Sequence, residues 1–526
     1  MRAARVWATA ALSCALLASS PAVTGCTSSV LGAARTPGQV VVALADAPTQ
    51  LDPTTSATFA GTLVLTNLCE ALLDIDDQQR LVPRLAASMP QVSPDGLTVT
   101  ITLRSGVRFN DGTPLDAPAV ATSLRRDLTL PTSQRTGDLG PVTEVEPTGP
   151  LGLRLRLARP YAPLLSALAG TAGMVMSPTA LGKLGEHFGD HPVCVGPFAF
   201  ARRPTAGQVD LVRSPYYYDR AHVYPSAVSF RTVVDSNVRV AELRAGDVDV
   251  VDRVMPADVE AVRHDRSARV AFGVSLGYQA LVFNIGNAHG SHAPPGEVAS
   301  PFAAHPELRR ALELTLDRTA ISRVVFNGQY PPDCTPFPLG TPWSVRIPCD
   351  HRDVAQARRL VAASGVPTPI RLALMTPSVA TSEQLATLIQ AMAADAGFAV
   401  SVVPTELATS VQRAIRGQFT AYLSGWSGYQ DPDGNVYSQY HPGEGLNLSG
   451  VSDPALTALL EQARRTTAAP ARIELYRRIA LLLNDRQYMI YLAHPRFALG
   501  ARADLTGVRY LGSGQIRLAG ARRVGR

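Results

Sequence analysis

Three groupings in the 526-residue chain combine residue types and spacings that could do chemistry. Gly273-Val274-Ser275-Leu276-Gly277 satisfies G-x-S-x-G, the turn that lifts a hydrolase serine to the top of a sheet. That turn must open a helix. Tyr278 to Phe283 is instead aromatic and branched and reads as a strand, no oxyanion-type glycine motif precedes it, and an esterase is not expected. His187 with His191, and His289 with His292, are spaced to put two rings on one helical face, as a metal site would need. Gly189 and Pro192 around one pair, and Gly286, Gly290 and Pro294 around the other, argue against helices, so surface-loop histidines are expected. Asp431-Pro432-Asp433-Gly434-Asn435 begins like a calcium loop but lacks the acid at the twelfth position, which leaves a turn. No catalytic residue, metal or cofactor is expected.

The cysteines carry a different message. Arg2 and Arg5 precede an apolar run from Val6 to Leu17, and Val23-Thr24-Gly25-Cys26 follows. The run is too short for the ~20 residues that span a bilayer, and residues 1–25 read as an export signal. Val-Thr-Gly-Cys resembles a bacterial lipobox, in which the Cys26 thiol takes the lipid and becomes the first mature residue. Residues 26–39 are small and polar and read as a tether. With Cys14 removed and Cys26 lipidated, Cys69, Cys194, Cys334 and Cys349 remain, an even number in an exported chain. Of the three possible pairings, loop entropy favours the short Cys334–Cys349 link, which pairs Cys69 with Cys194. No C-x-x-C pair supports zinc.

Around these residues the chain must build more than one core, because single cores stop growing near ~250–300 residues. With 46% hydrophobic and 17% charged residues, wholesale disorder is excluded. The formal net charge is +6, but Arg2 and Arg5 belong to the signal, and 47 bases then face 43 acids. Lys183 is the only lysine, no window gathers five or six bases, and nucleic acid is not an expected partner. Arg-for-Lys usage with abundant Ala, Gly, Val and Pro points to a GC-rich bacterium such as an actinobacterium. Val40 to Leu44 reads as a strand, Leu51-Asp52-Pro53 as a turn, and the apolar stretch through Leu63, Leu68 and Leu72 as helical. Leu97 to Leu103 alternates as a half-buried strand, and Phe109-Asn110-Asp111-Gly112 follows as a hairpin-type turn. Helical spacing in 307–318, 354–364, 382–396, 455–464 and 471–485, interleaved with strands at 370–374 and 398–403, makes the class mixed α/β.

The stretch from Leu81 to Leu115 contains Val82-Pro83-Arg84-Leu85-Ala86, Ser93-Pro94-Asp95-Gly96-Leu97 and Gly106-Val107-Arg108-Phe109-Asn110-Asp111-Gly112-Thr113-Pro114-Leu115. It resembles the signature of the family 5 extracellular solute-binding proteins, the peptide, nickel and opine group that serves ABC importers. Leu51-Asp52-Pro53, Glu70-Ala71-Leu72, Pro192 to Phe198, Leu243 to Asp249, Phe283-Asn284, Gly425-Trp426 and Asp431-Pro432-Asp433 fall in family order. The resemblance covers residues 40–500 and implies a two-lobed periplasmic-binding-protein-like fold with an extra domain inserted in the first lobe. It assigns 40–70, 196–276 and 491–526 to lobe I, 71–195 to the inserted domain and 277–490 to lobe II, and it places Cys69 and Cys194 at the junctions.

In peptide-binding relatives a strand beside the ligand runs through the Gly-Trp pair, and an Asp three residues after the Trp holds the ligand's ammonium. Here that position is Tyr429, and the segment is short by one residue. The ligand-binding residues the resemblance implies are Gly425, Trp426, Ser427, Gly428, Tyr429 and Asp431, with Thr58 and Phe59 on a second ligand-facing strand. Asp431 and Asp433 are read as solvated turn acids rather than as replacement anchors. The implied function is a lipid-anchored, non-enzymatic, monomeric substrate-binding protein on the outer face of the cell membrane. It would take a peptide, or alternatively haem, a nickel chelate or an oligosaccharide, to an ABC permease and its ATPase subunits. A sensing or assembly role on the same fold is the other alternative.

Overall fold

The computed structural model describes residues 36–273 and 276–524. Cys26, the signal-like segment and Ser275 lie outside them. Gln39–Leu44 founds the first sheet, because a run of Val, Ala and Leu with five of six positions buried can be covered on both faces. It lies parallel to Ala227–Thr232, with Val42 opposite Phe230, and parallel to Val250–Val254, with Val42 opposite Val250. Further antiparallel strands give seven, in the order Ala268–Phe272, Ala498–Arg502, Val250–Val254, Gln39–Leu44, Ala227–Thr232, Gln208–Arg213 and Phe198–Thr205.

The second sheet runs Phe398–Thr405, Ile370–Pro377, Ala421–Trp426, Tyr278–Phe283 and Met489–Ala493. Its first three strands are mutually parallel, and Tyr278–Phe283 is antiparallel to both its neighbours. A third, antiparallel sheet joins Gln91–Val92, Thr98–Thr102, Gly152–Leu157 and Val142–Pro147. In Thr98–Thr102 the alternation is realised, since Val99 and Ile101 are buried between less buried threonines. The helix Ala117–Thr129 covers this sheet. Asp116 caps it by accepting from the Ala119 N–H at 2.9 Å, and Val120 and Leu124 join Phe109 in the core.

Two helical expectations need correcting. The helix after the Leu51 turn is Phe59–Leu68, so Leu72 lies beyond it; Cys69 is already extended, and its N–H closes the last turn on the Leu65 carbonyl. The stretch 307–318 is not one helix. Pro306–Thr315 stops, and Asp317 caps a second helix, Arg318–Phe326, by accepting from the Ala320 N–H. His187 sits exposed in a 3₁₀ stretch, Gly185–Asp190, beside Asp190 at 3.3 Å, and not in a plain loop. Strand Tyr278–Phe283 does follow the G-x-S-x-G segment. Its second glycine has a packing reason, because a Cβ on Gly277 would sit 1.9 Å from the Trp426 carbonyl oxygen.

Cys69 pairs with Cys194 (Cα–Cα 5.0 Å) and Cys334 with Cys349 (5.6 Å), the sulfurs of each pair at bonding distance. Asp333, Cys334 and Cys349 cluster closely enough to suggest a metal, but those cysteines are bonded to each other. No helix among the described residues is long and apolar enough to cross a membrane.

Candidate functional site

A cavity of about 430 Å³ lies where three parts of the chain meet. One wall comes from the helix Phe59–Leu68 and the C-terminal segment around Leu511–Arg517, one from the segment around Arg135, Tyr161 and Gly170, and one from Trp426–Gly434. Of the residues the resemblance implies, Trp426, Gly428, Tyr429 and Asp431 line it; Gly425, Ser427, Thr58 and Phe59 are not among the lining residues.

Thr58 and Phe59 do not lie on a strand. Thr58 is the N-cap of Phe59–Leu68 and accepts from the Gly61 N–H at 3.1 Å. Phe59 packs on Phe497 at 5.8 Å, under the Arg253 guanidinium at 4.8 Å. A helix presents every third or fourth residue to one side, so Thr62 and Thr66, one and two turns on, reach the cavity instead.

The Trp426 wall is held from behind. Asn435, 2% exposed, accepts at Oδ1 from the Trp426 indole N–H and from the Tyr429 backbone N–H, both at 3.1 Å. Its amide donates to the carbonyls of Leu276 (2.9 Å) and Pro336 (3.0 Å). All four hydrogen-bonding positions of one buried amide are thereby spent on fixing the wall. Gly428 completes the turn at φ +81°, where a Cβ would collide with the Leu276 carbonyl. The Trp426 and Tyr429 rings stand 5.8 Å apart, and Tyr429 is half exposed.

Asp431 and Asp433 are not solvated turn acids. Both are buried, and Asp433 opens the helix Asp433–Tyr440. Arg472 grips Asp431 through two bonds of 2.7 Å, and Arg464 holds Asp433 at 2.6 Å. Burial pushes the Asp433 carboxyl upward, and the hydrogen bonds and charge of Arg464 oppose it. With each carboxylate already neutralised by a guanidinium, neither is left to hold a ligand's ammonium. The arginines carry a signal that was missed. Arg472 falls on the buried stripe with Leu475, Tyr476, Ile479 and Leu483, and a cation on an apolar helical face requires a buried anion.

The walls also touch directly. The Ala162 N–H donates to the Arg464 carbonyl at 2.9 Å, the Tyr161 ring lies 5.3 Å from the Arg464 guanidinium, and Gln430 donates to the Gln79 carbonyl at 3.0 Å. Tyr161, Arg135 and Asp138 are further lining residues without a recognisable motif. Arg135 and Asp138 pair with each other at 3.0 Å.

The strand that feeds the Trp426 wall keeps an edge. Ala421–Trp426 is laddered to Tyr278–Phe283 along its whole length, whereas its register with Ile370–Pro377 covers only Ala421 and Tyr422. An extended chain can add to such an edge.

A glutathione-binding protein, GsiB, of Pectobacterium atrosepticum is 25% identical over 483 residues, 89% of this chain and 90% of its own. A probable di/tripeptide-binding protein 5 of Pseudomonas aeruginosa is 27% identical over 474 residues, 84% of this chain and 87% of its own. The solved structure of the periplasmic binding protein DppA from Helicobacter pylori, in complex with peptide STSA, superposes with a TM-score of 0.76 at 20% identity, over 92% of this chain and 98% of that one. That likeness identifies the fold as the two-lobed α/β binding-protein architecture. Residues 80–447 match the family described as bacterial extracellular solute-binding proteins, family 5 Middle, and the chain belongs to that family of solute-binding proteins.

Proposed function

We propose that this protein captures a short peptide in the cavity beside Trp426 and Tyr429 and delivers it to an ABC permease. The observation that carries the reading is the strand Ala421–Trp426, which has no ladder to Ile370–Pro377 beyond Tyr422 and ends in Trp426 at the cavity. An extended backbone can pair along it while apolar side chains meet Trp426, Tyr429 and Tyr161. The peptide-type relatives support the same class. The acids on the Trp426 wall are occupied by arginines, so the ligand's amino end is not fixed by Asp431 or Asp433.

The seven-stranded sheet serves as lobe I, the four-stranded sheet as the inserted domain and the five-stranded sheet as lobe II, with closure about the crossings near Leu276 and Ala493. Cys69–Cys194 and Cys334–Cys349 act as disulfides outside the cytoplasm, and Cys26 anchors the protein to the membrane by lipid.

Mass spectrometry of a native preparation tests this. A mixture of short peptides should leave the protein on denaturation, and the mature chain should begin at a lipidated Cys26. A single metal chelate, haem or sugar in place of the peptides would overturn the ligand class.

A further inference from the structure

Two glutamines that line the cavity make no side-chain hydrogen bond among the described residues. Gln79 and Gln515 are each 7% exposed, both line the cavity, and the Oε1 atoms of both are buried without a hydrogen-bond partner. They come from distant parts of the sequence but flank one joint. Gln79 follows strand Leu73–Ile75, Gln515 precedes strand Ile516–Arg517, and Asp74 and Arg517 tie the two strands together. Gln79 also holds a left-handed backbone, φ +62°, in a turn whose carbonyl is bound by Gln430. A non-glycine residue is rarely kept there unless its surroundings enforce it.

Each glutamine oxygen is closed off from the cavity as the empty protein stands, and an unpaired buried carbonyl is unfavourable; a half-turn of the amide turns it to the cavity, where a ligand can supply the partner. The local charges select which. Asp74 is committed to Arg517 and lies 4.0 Å from Arg509, so the ion pair beside the glutamines offers neither a free anion to an ammonium nor a free cation to a carboxylate. A neutral group with both a donor and an acceptor fits instead, since a carboxamide offers N–H and C=O side by side. Resting on the peptide reading above, we propose that Gln79 and Gln515 form a neutral subsite that pairs with backbone amides of the bound peptide. The ligand is then read there by its amide groups and not by its terminal charges.

The test uses mature protein stripped of copurified ligand, its Gln79→Met and Gln515→Met variants, an alanine series from di- to tetrapeptide, and the same peptides with one internal amide replaced by an ester. Calorimetric titration should show about a tenfold affinity loss for each variant, a similar loss for the ester on the native protein, and little further loss when variant and ester are combined. Unliganded Tm should stay unchanged or rise, because no internal hydrogen bond is removed. Variants that bind the alanine series as tightly as the native protein would overturn the subsite alone, as would an unliganded Tm lowered by several degrees. A native protein that binds no member of the series would overturn the peptide reading, and the subsite with it.

Discussion

On the Trp426 side of the cavity every buried polar group has a partner inside the protein. Asp431 has Arg472, Asp433 has Arg464, and Asn435 spends all its bonds on Trp426, Tyr429, Leu276 and Pro336. On the opposite side Gln79 and Gln515 are as deeply buried, yet their side-chain oxygens have none. The first wall holds the Trp426 segment that resembles the family pattern, and charged side chains line both, Asp74 and Arg517 among them on the second. Polar residues beside a cavity therefore divide into those that build the wall and those left for a ligand, and satisfaction of hydrogen bonds tells them apart better than charge does.

The largest effect that would sharpen this contrast comes from Arg472→Met. The Arg472 and Asp431 side chains are 3% and 8% exposed, and removing the cation strands a buried carboxylate. Unfolding in denaturant should show a loss of about 3–5 kcal/mol. The midpoint should move at constant slope. A loss below about 1 kcal/mol would mean that the pair is solvated, and the wall would not be the rigid side.

A second contrast lies between Asp431 and Asp127, which is fully buried but has no bidentate arginine. Thr54 donates to its Oδ1 at 2.6 Å, and its Oδ2 has no partner. Burial pushes its carboxyl up to about 7, against the Thr54 hydrogen bond and the charges of Arg135 and Arg126. A folded-state value above the unfolded one means that the folded protein holds the extra proton. The associated stability is complete below about pH 4 and is lost as pH rises through about 7. Asp127→Asn keeps an acceptor for Thr54 and removes the titration. Between pH 5 and pH 8 the native protein should lose about 2–3 kcal/mol more than the variant, read from denaturant midpoints at each pH. Parallel pH profiles for the two proteins would place the Asp127 value in the ordinary carboxylate range.

Much of the fold was legible because it depends on local chemistry. Alternation at Val99 and Ile101 and the short Cys334–Cys349 link follow from neighbours in sequence, whereas the cap at Asp317 splits a stretch whose spacing reads as one helix. The site was legible only along Trp426–Asp431, where one continuous segment forms a wall. Thr62 and Thr66 fall in a stretch whose spacing reads as helical, but a helix's sequence does not say which of its polar residues meets a cavity, and the resemblance places only Thr58 and Phe59 on a strand. Asp431 and Asp433 looked solvated because their partners come from two other helices, Pro454–Arg465 and Ala469–Arg486. Gln79 and Gln515 had no sequence signal at all, since an isolated glutamine is ordinary and only tertiary burial makes it otherwise.

The smallest effect separates the two walls most finely. Gln430 stands next to Tyr429 on the Trp426 side, and its amide donates to the Gln79 carbonyl across the cavity. The bond joins the walls without using either glutamine's role toward the ligand, so it belongs to closure and not to recognition. A neutral hydrogen bond contributes about 0.5–1.5 kcal/mol, and Gln430→Met should weaken the closed state by that much. A closure equilibrium scales every affinity by one factor, because the ligand binds a state whose population has fallen. The expected result is a loss of about threefold to tenfold, the same for each member of a peptide series, with dissociation accelerated more than association is slowed. A loss that grew with the number of amides in the peptide would show that Gln430 touches the ligand. The division between a wall that is built and a wall that reads would then have to be redrawn to place Gln430 with Gln79 and Gln515.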